Sequence, residues 1–163
     1  MRKNPAVPLI ALLIAGFALA QSPGDKLPSV IMAPVGNVQV RAGASAAVSL
    51  DFRIGPEFHI NSHTPKSELL IPTAIKLTTP DQVTVADVKY PPGQDVSFPF
   101  SPDEKLSVYS GDFTIDTVIK APANAAAGTY PVTGTLRFQA CDHSACYPPK
   151  TIPVQFQVTV VKK

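Results

Sequence analysis

The sequence predicts an all-β, immunoglobulin-like antiparallel β-sandwich, and three observations carry that expectation. Apolar side chains alternate with polar ones at a period of two, Pro, Gly and Asp clusters punctuate the alternation, and no window sustains a helical period. Several short strands at this spacing within one domain-sized chain give the sandwich.

In chain order, residues 1–20 read as a cleavable signal: Arg2 and Lys3 form the basic start, an apolar run extends from Ala6 to Ala20, and Ala18-Leu19-Ala20 is the small-residue cleavage site. The run is shorter than the roughly 20 residues that span hydrocarbon, and Pro8 interrupts it, so no membrane span is expected after cleavage. Residues 21–29 (QSPGDKLPS) are polar and Pro/Gly-containing, a flexible linker. Residues 30–163 form the single domain. Within it, Ala44, Ala46, Val48, Leu50, Phe52 and Ile54 alternate with mostly polar neighbours, as do Ile152, Val154, Phe156, Val158 and Val160, each set describing a strand with one face on a core. Further strands are expected at 37–41, 57–60, 73–78, 83–90, 113–120 and 134–141. Gly55-Pro56, Thr79-Pro80-Asp81, Pro91-Pro92-Gly93 and Ala127-Gly128 separate them.

Composition narrows the function classes. The formal charge is +2, and loss of Arg2 and Lys3 with the signal leaves a neutral mature chain, which recommends neither nucleic acid nor an anionic membrane as partner. The 18 prolines and 9 glycines lie between strand candidates instead of in a low-complexity block. There is no G-x-S-x-G elbow, H-E-x-x-H, phosphate-binding glycine loop or C-x-x-C, and no cofactor is implied. Asp103-Glu104, adjacent in the chain, reads as part of a solvated loop. A soft-metal site built from His59, His63, His143 and the two thiols is set aside for want of tight ligand spacing, and His59, Asn61 and His63 are expected to satisfy local backbone groups near Pro65.

The two cysteines, Cys141 and Cys146, carry the chemistry. An exported pair commonly bonds. Yet a loop this small gives only about 2 kcal/mol of chain-entropy stabilisation, against about 4.7 for a hundred-residue loop. If 142–145 makes a hairpin turn, the two residues face each other with Cα atoms about 4.5–5.5 Å apart, suitable for a disulfide. Leu136, Phe138 and Ala140 form the apolar set of their strand, so parity places Cys141 on the opposite, solvent-nearer face. Asp142 disfavours a neighbouring thiolate, His143 assists one if charged, and Tyr147-Pro148-Pro149 stiffens the exit. Two readings follow: a redox-active pair, or a structural bond in a non-catalytic immunoglobulin-like binding or chaperone-like module.

The segment Arg137-Phe-Gln-Ala-Cys-Asp-His-Ser-Ala-Cys-Tyr-Pro-Pro-Lys-Thr151 resembles the active-site strand-turn-strand of the N-terminal periplasmic domain of the thiol:disulfide interchange protein DsbD. Phe58-His-Ile-Asn-Ser-His-Thr-Pro65, Leu69-Leu-Ile-Pro72, Val88-Lys-Tyr-Pro91 and Leu106-Ser-Val-Tyr-Ser-Gly111 are similar to that family as well, so the resemblance spans about 30–160. It implies a soluble periplasmic thiol-disulfide oxidoreductase of the protein-disulfide reductase type. Its electrons come from a thioredoxin-like or membrane thiol donor in trans and pass to periplasmic thiol clients, among them disulfide isomerases and cytochrome c maturation factors. By motif position Cys146 is the sulfur attacked and Cys141 its resolving partner, with Phe98 or Phe100, in the 98–106 stretch that matches the family's cap loop, as the covering aromatic. The turn here is one residue tighter than in the best-known members.

Overall fold

The computed structural model describes residues 28–162. The expected signal, and the linker up to residue 27, lie outside the described residues. The last two linker residues are held against the domain: the Pro28 carbonyl accepts from Lys150 Nζ at 3.0 Å, and the Ser29 carbonyl accepts from the Gly55 amide at 2.9 Å.

All twelve regular elements among these residues are strands: β1 (Val30–Met32), β2 (Val38–Arg41), β3 (Ser45–Ile54), β4 (His59–Asn61), β5 (Ala74–Thr78), β6 (Thr84–Lys89), β7 (Gln94–Phe98), β8 (Ser101–Ser110), β9 (Asp112–Lys120), β10 (Gly128–Phe138), β11 (Ala140–Cys141) and β12 (Lys150–Val161). They form three four-stranded sheets, ordered β1-β3-β9-β6, β2-β12-β10-β5 and β11-β4-β8-β7. The immunoglobulin-like β-sandwich expected from the sequence is the observed fold class. Its pairings are antiparallel with one exception, the parallel β2–β12 pair.

Alternation explains the two larger sheets. On β3 the residues Val48, Leu50, Phe52 and Ile54 point inward while Ser49, Asp51 and Arg53 face water, and on β12 Val154, Phe156, Val158 and Val160 do the same. β3 pairs β9 from Ser45↔Lys120 to Arg53↔Asp112, and β10 pairs β12 from Gly128↔Val160 to Phe138↔Lys150, so these inward rows meet in one core. Each fully buried aliphatic or aromatic side chain in that core contributes about 1.5–3 kcal/mol. β5 closes on β10 because Gly134 has no side chain: a β-carbon there would collide with the Lys76 carbonyl.

The third sheet departs most from expectation. Residues 94–110, expected only as a loop around 98–106, form a hairpin of β7 and β8 whose Pro99-Phe100 turn is flanked by the Phe98↔Ser101 pair. Asp103 and Glu104 therefore sit, exposed, on the outer half of β8. The inner half of β8, Leu106 to Tyr109, is buried on both faces, the polar Ser107 included. Phe98, Leu106 and Val108 form a second small core, joined by Leu70 and Val96.

Candidate functional site

The strand expected at 134–141 is not continuous. β10 ends at Phe138, Gln139 crosses from the second sheet to the third, and β11 resumes against β4 with Ala140↔Ile60 and Cys141↔His59. Gln139 holds this crossing: its Oε1 accepts from Asn61 Nδ2 at 3.0 Å and from the Ile71 amide at 3.1 Å, its Nε2 donates to the Tyr147 carbonyl, and its own carbonyl accepts from the Asn61 amide. The break corrects the parity expectation. Cys141 is not on the solvent-nearer face; with Ala140 it is buried, its own exposure 0%, because the chain has moved between two layers and strand alternation no longer applies.

Cys141 and Cys146 are joined as a disulfide, with Cα atoms 3.9 Å apart, closer than the hairpin estimate. The two sulfurs occupy different environments. Cys146 is exposed, together with the whole run from His143 to Ala145, whereas Cys141 is closed to solvent. The Asp142 amide donates to the Ala145 carbonyl at 2.9 Å and the Tyr147 amide to the Ala140 carbonyl at 2.8 Å, bracketing the bond with backbone pairs.

Asp142 has a structural duty that the sequence did not reveal. Its Oδ1 accepts from the amides of Ser144 (2.7 Å) and Ala145 (2.9 Å), and its Oδ2 from the Tyr147 hydroxyl (2.6 Å). The Tyr147 hydroxyl first, then these amides, hold the carboxyl far below the usual carboxylate range. This is an Asx turn with a second lock, and the D-x-S-A spacing is the signal that announces it. Tyr147 in turn meets Phe58 edge-on, with ring centroids 5.9 Å apart.

The histidines separate. His63 is exposed, stacked on Tyr90 with centroids 3.6 Å apart, its Nδ1 2.9 Å from the Thr73 carbonyl, which is the local backbone role expected of it. His59 differs: it is buried beside Cys141 in the β4–β11 register, its ring stacks on Phe98 at 3.9 Å, and its Nε2 has no hydrogen-bond partner among the described residues. Burial, reinforced by His143 and opposed by Asp142, lowers its pKa from 6.5 to about 4, so the imidazole is neutral at pH 7. Phe98 is buried and stacks on Phe100 at 5.4 Å, while Phe100 is 36% exposed at the hairpin turn. The rings of His59, Phe98 and Phe100 thus form a stack leading outward from the β4–β11 pair.

The family model for the N-terminal domain of the thiol:disulfide interchange protein DsbD matches residues 30–157. The chain belongs to this family. No curated protein sequence matches it. Among solved structures, the N-terminal periplasmic domain of ScsB from Proteus mirabilis aligns with a TM-score of 0.52 at 13% identity, covering 82% of this chain and 47% of that one. The chain thus spans about half of the ScsB domain. A type I cohesin from Pseudobacteroides cellulosolvens has a TM-score of 0.51 at 15% identity, covering 82% and 93%. The reduced DsbD N-terminal domain of Neisseria meningitidis is 20% identical over 72% of this chain and 80% of that one, with a TM-score of 0.41. The likenesses to ScsB and the cohesin concern the sandwich; the membership rests on the family match. A DsbD N-terminal-type domain carrying a bonded cysteine pair is thereby a thiol-disulfide exchange module in its general character.

Proposed function

We propose that this DsbD N-terminal-type domain is exported by residues 1–20 and relays electrons outside the cytoplasm through the Cys141–Cys146 disulfide. A thioredoxin-like or membrane thiol donor on another polypeptide supplies the electrons, and client thiol proteins receive them. The observation that carries this reading is the asymmetry of the pair: Cys146 is an exposed residue on a turn, and Cys141 is enclosed.

The chemistry follows from that asymmetry. A donor thiolate attacks the accessible Cys146 Sγ in line with the S–S bond, forming a mixed disulfide, and Cys141 Sγ leaves with the electron pair and takes up a proton. The donor's second thiol then displaces Cys146, leaving the donor oxidised and this chain a dithiol. Delivery runs the same steps in reverse, Cys146 attacking the client disulfide and Cys141 resolving the adduct. The two bracketing backbone hydrogen bonds and the Asp142 Asx contacts hold the turn without involving either sulfur. That favours reversible opening over a staple role, since a staple is needed where nothing else holds the loop. In this reading the β7–β8 hairpin serves as the cover of the site, its Phe98 stacked on His59 and Phe100 beyond it.

Trapping tests the reading. Cys141→Ala removes the resolving sulfur, so mixed disulfides with donor and clients accumulate on Cys146 in the native compartment, while Cys146→Ala accumulates none. An absence of adducts on the Cys141→Ala protein would overturn it in favour of a structural bond.

A further inference from the structure

We propose that His59 is the hydrogen-bond partner of the Cys141 thiol in the dithiol form, a positioning residue that favours reduction of the pair. The inference rests on the exchange role proposed above and assigns a residue that the cysteine motif does not contain.

Three observations on the oxidised structure lead to it. Cys141 and His59 are directly opposite in the β4–β11 ladder, so their side chains leave the same face with β-carbons about 4.5–5.5 Å apart. Both residues are buried, at 0% and 4% exposure. His59 Nε2 is enclosed without a hydrogen-bond partner among the described residues, and its ring stacks on Phe98. A buried polar atom left unpaired costs free energy and calls for an explanation.

The redox state supplies one. In the disulfide, Cys141 sulfur carries no hydrogen. Reduction breaks the S–S bond with two electrons and two protons from a donor dithiol, which becomes a disulfide, and Cys141 gains an S–H group. The imidazole is neutral there. With its proton on Nδ1, Nε2 offers a lone pair to that S–H. The reduced form thus satisfies an atom that the oxidised form leaves orphaned. Neighbouring Asp142 and His143 are engaged or exposed on the turn, and Ser110, the β8 partner of His59, brings no charge.

The test equilibrates the purified protein with reduced and oxidised glutathione at pH 7 and quantifies the dithiol by alkylation and mass spectrometry. His59→Phe keeps the ring stack on Phe98 but has no lone pair, and it shifts the equilibrium about tenfold toward the disulfide, or about 30 mV more negative. His59→Gln, whose amide oxygen accepts the S–H, stays within threefold of the parent. A His59→Phe protein within twofold of the parent, or a glutamine variant shifted as far as phenylalanine, overturns the proposal. The unsubstituted protein gives a second readout: the ¹⁵N resonance of His59 Nε2 moves on reduction if the bond forms and stays put if it does not. Glutathione reads the pair's own equilibrium without any protein donor. Failure of the relay reading therefore appears separately, as missing adducts on Cys141→Ala.

Discussion

Asp142 and Tyr147 are joined carboxylate to hydroxyl at 2.6 Å across the turn that carries the disulfide. The contact closes a ring of local hydrogen bonds that keeps Cys141 and Cys146 adjacent, which is what a reversible bond requires. Tyr147→Phe keeps the edge-on contact with Phe58 but loses this lock. In the reduced protein the two thiols then meet less often, and the rate of ring closure after glutathionylation of Cys146 falls a few-fold. The oxidised protein, where the bond itself holds the turn, melts nearly unchanged. Stopped-flow closure rates and thermal melts in both redox states check this.

The staple contribution is small. Replacing both cysteines by serine removes a crosslink over a very short loop, and the expected loss is about 2 kcal/mol. Denaturant titration measures it. A loss approaching that of a long-loop crosslink would mark the bond as a principal support of the fold.

His59 makes the oxidised protein acid-sensitive above the carboxylate range. Its folded pKa of about 4 lies below the unfolded 6.5, so the unfolded chain binds the proton first as pH falls. Its contribution is fully present above pH 6.5 and is lost as pH falls toward 4, amounting to about 3 kcal/mol at most. The carboxyls of Asp112 and Asp142, both held low, lose their contributions only at more acid pH. Stability measured from pH 7.5 to 4 shows this slope, and His59→Phe flattens it.

Phe98 and Phe100 differ in burial. Phe98→Ala empties a buried position in the small core with Leu106 and Val108 and costs about 3–5 kcal/mol. It also unclamps His59, and the disulfide is reduced faster by dithiothreitol. Phe100→Ala, at the exposed turn, changes stability by about 0.5 kcal/mol or less and leaves that small-thiol rate near the parent.

Much of this was legible in the residues. The alternation on β3 and β12 reports one-sided burial directly, and the cysteine segment carries the family resemblance by itself. What the sequence conceals lies mostly in the third sheet. The buried run Leu106 to Tyr109 includes the polar Ser107, which reads as solvent-facing, and the β7–β8 hairpin begins at Pro-Pro-Gly and turns at Pro-Phe, which reads as loop. Parity misplaces Cys141 because it assumes an unbroken strand and the chain changes sheets at Gln139. β1, the three residues Val-Ile-Met, is too short to show an alternation. His59 could be found only once the register set it opposite Cys141.

The most direct test of the relay is the reduction potential of the Cys141–Cys146 pair, taken with the fold of the reduced protein. The relay requires a potential less negative than about −300 mV, with the reduced domain still folded and melting within about 10 °C of the oxidised one. A potential well below that value, with unfolding on reduction, would contradict it and make the bond a structural one.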